Sequence, residues 1–199
     1  MKTVRIVLWA LVVVIAGALG WMTFSISQSK NQMAEAPFGV PFELVDQNGK
    51  PITEQAFRGK PTVLFFGFTH CPEVCPTTLF ELGDWLPKVD PDGTKLGAYF
   101  VTVDPERDTP DILGRYISNV TDRVIGIAGP PEKVAEVVKG FRVYAKKVPL
   151  DEADPNGDYT MDHTASIFLL DAEGRFKGTI AYGENPDVAV QKLENLMKG

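Results

Sequence analysis

Two cysteines mark the segment of the chain with the most chemical potential. Cys71 and Cys75 are the only cysteines in the sequence, and they lie where an apolar run of strand length, residues 61–68, gives way to a helical pattern. With Pro76 as the first helical residue, Cys75 becomes the N-cap, and its sulfur lies beside the positive end of the helix, which favours a thiolate. The sequence therefore predicts two reactive thiols close together.

Three kinds of chemistry suit this cysteine pair. Two neighbouring thiolates are good ligands for a soft ion such as Cu(I), or for Zn(II) with further ligands. The pair could also form a redox-active disulfide or a structural one. A structural bridge gains least here, because closing so short a loop removes little chain entropy.

A metal held by two sulfurs needs another ligand, and the chain has two histidines. His70 adjoins the first cysteine, but neighbouring side chains at a strand end point in opposite directions. His163 precedes a second buried strand and is equally compatible with a hydrogen-bonded loop residue. Met161 could supply a thioether or simply fill the core. Asp162 could orient an imidazole or be an ordinary solvated acid.

A second unusual segment, residues 104–110, follows another apolar run and is expected on the same rim as the cysteines. Asp108 or Thr109 is expected to cap the helix that begins here, and capping accounts for both residues. Asp104 and Arg107 are expected to form a solvated ion pair.

The remaining patterns predict an α/β fold, with strands and helices alternating along most of the chain. The central sheet is expected to be mostly parallel at first and antiparallel at the end. The predicted strands are residues 61–68, 96–103 and 124–128, with β-hairpins at 42–52 and 166–181. The predicted helices start near residues 76, 108 and 131, the first ending at Pro87, and a last helix covers 186–197; residues 150–158 form a loop.

Composition limits the classes of function that are compatible with the sequence. The chain has 199 residues, of which 44% are hydrophobic and 23% charged, so one folded domain is expected. The formal net charge is −6, which argues against sequence-independent binding to nucleic acid.

The N-terminal residues predict a membrane segment. Residues 6–26 are apolar and uncharged and reach the length that a spanning helix needs. Residues 1–5, with Lys2 and Arg5, are then a cytoplasmic tail, 27–37 a linker, and 38–199 the exported domain. The alternative is a cleaved signal peptide, because residues 16–18 have the shape of a cleavage site.

Three segments resemble, in order and spacing, the motifs of the Sco/SenC family: residues 66–76, 103–110 and 159–165. The resemblance extends over residues 38–199 and implies a thioredoxin-like fold. It also implies one copper ion, Cu(I) or Cu(II), bound by Cys71, Cys75 and His163. Asp162 matches the acid before that histidine and is implied at most in a secondary or outer-sphere role.

The family assembles cytochrome c oxidase, so the resemblance implies a copper chaperone for the binuclear centre of oxidase subunit II, not an enzyme in the usual sense. A thiol-disulfide reductase that keeps the oxidase cysteines reduced, using a redox-active Cys71–Cys75 disulfide, is one alternative. A copper or redox sensor is another. A periplasmic copper donor or thiol reductant is a further expected partner.

Three departures from related classes favour a copper protein. Thioredoxin-type reductases have Cys-x-x-Cys, where this chain has three residues between its cysteines, and a cis-proline where this chain has Asp162, His163 and Thr164. Peroxiredoxins have a threonine three residues before the reactive cysteine, where this chain has Phe68 before Cys71 and Pro72 before Cys75.

The N-terminus lacks the composition of a mitochondrial transit peptide, so we expect a bacterial inner membrane with the C-terminal domain in the periplasm.

Overall fold

A computed structural model describes residue 9 and residues 14–25, 37–154 and 157–199 of the chain. The chain divides into two units, Met1–Ala36 and Pro37–Gly199. In the first unit residues 14–25 are helical. The predicted membrane segment, 6–26, lies partly outside the described residues, as does nearly all of the predicted linker. Within the described part of the chain, no helix has the length and apolar character to cross a membrane.

The described residues of the second unit contain nine strands in two sheets. The strands are β1 (Glu43–Asp46), β2 (Pro51–Thr53), β3 (Thr62–Gly67), β4 (Gly97–Thr102), β5 (Ile125–Ala128), β6 (Ala145–Pro149), β7 (Tyr159–His163), β8 (Ile167–Leu170) and β9 (Phe176–Ile180). The large sheet has the order β2-β1-β5-β4-β3-β8-β9, and β6 and β7 form a separate pair.

Strand directions in the large sheet confirm the predicted mixture. The central strands β3, β4 and β5 are parallel, while β8 is antiparallel to β3 and β9 to β8. The predicted entrance hairpin is β1–β2, which adds to β5 in the antiparallel sense. Every residue of β3 and β4 is buried, as expected for central strands that are covered on both faces.

Four helices connect or follow these strands in the second unit's described residues: α1 (Val74–Val89), α2 (Pro110–Ser118), α3 (Pro131–Gly140) and α4 (Pro186–Lys198). A short 3-10 helix, Glu54–Phe57, follows β2. The prediction that α1 ends at Pro87 is wrong by two residues. Pro87 lies in the last turn, where it removes only one N–H, and the N–H of Asp90 closes the helix on the carbonyl of Leu86 at 2.9 Å.

The pair β6–β7 is an element that the sequence patterns do not predict. Its register places Ala145 opposite His163 and Pro149 opposite Tyr159. The predicted loop, residues 150–158, falls between the two strands in the chain, and two of its residues, 155 and 156, lie outside the described residues. Only the ends of β6 are partly buried and its middle is exposed, so it lacks the alternation that identifies a strand. This hairpin matters because it ends on His163.

Candidate metal centre

The two cysteines lie at the junction between β3 and α1. Helix α1 begins at Val74 with Glu73 at the N-cap and no side-chain capping bond, so the prediction that Cys75 is the N-cap is wrong. Pro76 is the third helical residue, where its missing N–H is one that has no partner within the helix in any case. Cys75 therefore belongs to the first turn.

Because of this position, the end of the helix favours a thiolate at Cys71 and not, as predicted, at Cys75. The N–H of Cys75 donates to Sγ of Cys71 at 3.3 Å, so the positive end of the helix acts on Cys71. Cys75 is fully buried at 0% exposure, whereas Cys71 is partly exposed. Both are free thiols. Cys71 is therefore the cysteine that solvent can reach, and Cys75 is enclosed by the protein.

His163 is brought to the cysteines at the end of β7. A carbonyl oxygen can only accept, so the contact of 3.0 Å between Nδ1 and the carbonyl of Thr164 requires the proton to be on Nδ1. The lone pair of Nε2 then faces the cysteines, 3.7 Å from Sγ of Cys75. Edge-on contact with the ring of Phe68, at 5.7 Å between centroids, helps to fix the imidazole plane.

The three ligand atoms of Cys71, Cys75 and His163 all lie within 4.8 Å of one another. Among the described residues no other group of three or more cysteine, histidine or acidic side chains is arranged to hold a metal. Two soft sulfurs and one imidazole suit copper, while a structural zinc site nearly always has four ligands. The donor set therefore fits the ion that the sequence resemblance implies.

The other candidate ligands lie elsewhere. Asp162 is exposed, and as the neighbour of His163 along β7 it belongs to the opposite face of the strand. Met161 is partly buried and packs against the hydrophobic core. His70 is exposed and outside the three-ligand group. An outer-sphere role for Asp162 stays a prediction.

Hydrogen bonding gives the two thiols opposite acidities. The thiol of Cys75 donates to Cys71, and the backbone N–H groups of Cys75 and Glu73 add to this bond, so the pKa of Cys71 is lowered to about 4, against the effect of burial. The same shared proton, together with deep burial, raises the pKa of Cys75. The reduced site thus carries one thiolate and one thiol, and binding a metal through both sulfurs releases a proton.

Gly67 leaves room for the buried sulfur of Cys75, a role that no pattern in the sequence predicts. A Cβ at this position would lie 2.9 Å from Sγ of Cys75 and 2.7 Å from Cζ of Phe100. Both contacts are far inside van der Waals distance, so a side chain here would displace the sulfur or the ring. The glycine before Phe68 is therefore part of the site.

Asp104 and Arg107 form a largely buried cluster with Tyr159, which corrects the prediction of a solvated ion pair. Asp104 is 1% exposed and accepts from Nε of Arg107 and from the hydroxyl of Tyr159, the latter at 2.7 Å. The guanidinium also donates to the carbonyl of Tyr159 at 2.9 Å and lies 3.8 Å from the centre of its ring. The hairpin β6–β7 covers the pair, which the local sequence could not reveal.

Asp108 also differs from expectation, because only Thr109 caps α2, by accepting from the N–H of Ile112 at 3.3 Å. Asp108 points inward and is 1% exposed. It accepts from the hydroxyl of Thr69 at 2.6 Å and from that of Thr102 at 2.7 Å. Burial raises its pKa. The carboxyl group thus joins the end of β4 to the loop that carries the first cysteine.

The lowered pKa of Cys71 predicts a reactive thiolate in weak acid. Between about pH 8 and about pH 6 an ordinary thiol loses reactivity about a hundredfold, because its thiolate disappears. We expect iodoacetamide to modify Cys71 of the reduced protein at nearly the same rate at both pH values, measured by peptide mass spectrometry. Cys75 should react slowly throughout.

The Cys75→Ala variant is the matched control for this experiment. Alanine removes the thiol that donates to Cys71 while keeping the backbone N–H in place, so the reactivity of Cys71 should acquire more of the ordinary pH dependence. A wild-type rate at Cys71 that falls in parallel with that of free cysteine would contradict the assigned acidity.

Comparison with known sequences places the chain among proteins of one family. The family described as SCO1/SenC matches residues 30–198. The mitochondrial protein SCO2 of Saccharomyces cerevisiae is 39% identical over 156 residues, which is 78% of this chain and 51% of that protein. The mitochondrial SCO1 homolog 1 of Arabidopsis thaliana is 38% identical over 155 residues, 77% of this chain and 45% of that protein. The chain thus spans about half the length of these two relatives.

Solved structures agree with the fold described above. Copper-bound ScoI of Bradyrhizobium japonicum is 46% identical, with a TM-score of 0.72 over 80% of this chain and 99% of that one. Copper-bound yeast Sco1 is 33% identical, with a TM-score of 0.73 over 82% of this chain and 90% of that one. These similarities confirm the predicted thioredoxin-like α/β fold. The chain belongs to the SCO1/SenC family.

Proposed function

We propose that this chain is a copper chaperone, which binds one copper ion and delivers it to the binuclear copper centre of cytochrome c oxidase subunit II. The observation that carries the proposal is the group formed by Cys71, Cys75 and His163, whose ligand atoms lie within 4.8 Å of one another. Copper is bound in solved relatives, including ScoI of Bradyrhizobium japonicum. The partner follows from the resemblance to the family that assembles the oxidase.

The ligands suit both oxidation states of copper. Thiolates stabilise Cu(I), and the imidazole extends the site toward Cu(II). Nε2 of His163 already presents its lone pair, because Nδ1 is held by the carbonyl of Thr164. Such a bond on the far nitrogen orients a metal-binding imidazole and makes it a better ligand. Only the thiol proton of Cys75 must leave.

Delivery proceeds by exchange of ligands between two docked proteins. Cys71 is partly exposed and Cys75 is buried, so an incoming ligand from the partner reaches the metal on the side of Cys71. The buried sulfur retains the metal until the partner has supplied its own ligands. The order of release is therefore set by the depth of each sulfur.

The proposal includes a location. A membrane segment at residues 6–26, with Lys2 and Arg5 on the cytoplasmic side, would tether the domain in the periplasm of a bacterial inner membrane. The support is the uncharged apolar run and the position of the basic residues before it. A tether of this kind confines the chaperone to the membrane in which the oxidase is assembled.

A thiol-disulfide reductase is the second candidate, favoured by the low pKa of Cys71. A thiolate beside a buried thiol is the arrangement that attacks a disulfide and then resolves the mixed disulfide. That reaction needs both cysteines but not the imidazole. His163 therefore separates the two functions.

Maturation of the soluble domain of oxidase subunit II tests the proposal. Copper-loaded wild-type chain should form the binuclear centre in the reduced apo-domain, detected by its visible absorption and electron paramagnetic resonance. His163→Ala and Cys71→Ser should both fail, since each removes a ligand. Lys146→Ala, an exposed change on the neighbouring strand β6, should behave as wild type.

The reductase hypothesis predicts a different result in the same assay. With an oxidised apo-domain and copper supplied separately, a reductase would mature the centre with the His163→Ala variant as well as with wild type. That result, combined with failure of Cys71→Ser, would contradict the chaperone proposal.

Gly67 provides a test of how closely the sulfur must be placed. Gly67→Ala puts a methyl group 2.9 Å from Sγ of Cys75, so we expect copper affinity to fall by about tenfold or more, as for other changes that misplace a ligand. The measurement is competition for Cu(I) against a chromogenic chelator.

Gly126→Ala is the matched control. Its methyl group would also be crowded, at 2.8 Å from Ile117 and 2.9 Å from Leu113, but in the core under α2 and away from the sulfurs. It should lower the thermal stability of the chain without changing copper affinity. An equal loss of affinity in both variants would mean that Gly67 matters only for folding.

A further inference from the structure

His70 is a histidine that the three-ligand site does not use. It directly precedes Cys71, is exposed, and lies outside the group of three ligands. Its Nδ1 is 3.1 Å from Oγ1 of Thr69. The hydrogen-bond partners of that hydroxyl decide which ring nitrogen of His70 carries the proton and which carries the lone pair.

Asp108 fixes the direction of this hydrogen bond. Its carboxyl oxygens receive the backbone N–H of Thr69 at 3.1 Å, the hydroxyl of Thr69 at 2.6 Å and the hydroxyl of Thr102 at 2.7 Å. The hydroxyl of Thr102 is itself an acceptor, for the N–H of Asp104 at 2.9 Å, so its proton points to Asp108. Three donors thus converge on the buried carboxyl group, which acts as the acceptor.

The single hydroxyl proton of Thr69 is therefore used on Asp108. Its oxygen can only accept from His70, which puts the imidazole proton on Nδ1 and leaves the lone pair on Nε2. His163 has the same tautomer, held by a backbone carbonyl. Metal-binding histidines commonly donate their other N–H to a carbonyl or a carboxylate, and His70 does so through one hydroxyl.

We propose that Nε2 of His70 is an external copper ligand, which holds the ion while it passes between the docked partner and Cys71. The inference rests on the proposed function and adds a step to it. Copper first bonds to the exposed imidazole as a donor ligand leaves, and then to the adjacent, partly exposed thiolate. The bond to His70 breaks as Cys75 loses its proton to solvent and both it and His163 bind. The ion keeps its oxidation state throughout.

A relay of this kind affects rates and leaves the final affinity unchanged. The resting site contains the two sulfurs and His163, so removing His70 does not alter the bound state. It removes an intermediate position between solvent and a site whose second sulfur is fully buried. The expected phenotype is slow exchange with normal equilibrium binding.

The experiment is stopped-flow loading of the reduced full-length chain in detergent, with Cu(I) supplied as its bicinchoninate complex. Loss of the absorbance of that complex reports transfer to the protein, and its end point reports equilibrium affinity. We expect His70→Ala to load about tenfold more slowly than wild type with an unchanged end point. Unloading to excess chelator should slow by the same factor.

Changes at Thr69 test the hydrogen-bond relay. Thr69→Val removes the hydroxyl at constant shape and should also slow loading, while Thr69→Ser keeps the hydroxyl and should load as wild type. With only two histidines in the chain, ¹⁵N-labelled histidine gives two assignable rings. The ring of His70 should be the Nδ1–H tautomer in wild type and a mixture in Thr69→Val.

The outcomes are distinct. Loading of His70→Ala at the wild-type rate would overturn the inference and show that His70 has no part in copper transfer. Slow loading with an equal loss of equilibrium affinity would also overturn it, because the effect would then be on the resting site. If wild type itself takes no copper from the chelator, the proposed function fails rather than this inference.

Discussion

The attachment of the β6–β7 hairpin is the constraint on which the metal centre depends. In the described residues this hairpin forms its own two-stranded sheet, so no backbone ladder fixes it to the large sheet, and an isolated pair of strands is barely stable. Arg107 supplies a polar attachment by binding the buried carboxylate of Asp104 and the backbone and ring of Tyr159, and Met161 adds an apolar one by packing against the hydrophobic core. Because β7 runs from Tyr159 to His163, these contacts help to set where the imidazole meets sulfur. Burial raises the pKa of Tyr159, which keeps its hydroxyl protonated as a donor to Asp104.

The other half of the centre is organised by the end of β3. Gly67 leaves room for the sulfur of Cys75, the first turn of α1 directs an N–H at Cys71, and Asp108 holds the intervening loop through Thr69. The result is a gradient of access, from a partly exposed thiolate to a buried thiol. Such a gradient suits a protein that must hold an ion firmly and still release it to a partner. The proposed ligand exchange and the alternative disulfide chemistry would both use this difference in access.

Much of the fold follows from local patterns, and the site follows from motifs. Continuous apolar runs predict β3 and β4, because strands that are buried on both faces contain few polar residues. Apolar residues at helical spacing predict α1, because only one face of that helix is buried. The resemblance of their motifs predicts Cys71, Cys75 and His163 as ligands, and the structure brings these three side chains together. The inward direction of Asp108 and the burial of Arg107 could not be predicted, since an acid before a helix and an acid near an arginine look the same whether or not another element covers them. The hairpin strand β6, with Lys146 and Lys147 at its centre, has no alternation of apolar and polar residues, so the sequence does not predict it.

X-ray absorption spectroscopy of the full-length chain loaded with one equivalent of Cu(I) tests the central claim most directly, because it counts the sulfur and nitrogen neighbours of the ion. The geometry of Cys71, Cys75 and His163 predicts two sulfur ligands and one imidazole nitrogen, and the imidazole contribution should disappear in His163→Ala. Coordination by sulfur alone in the wild-type protein, with a spectrum that His163→Ala leaves unchanged, would contradict the account.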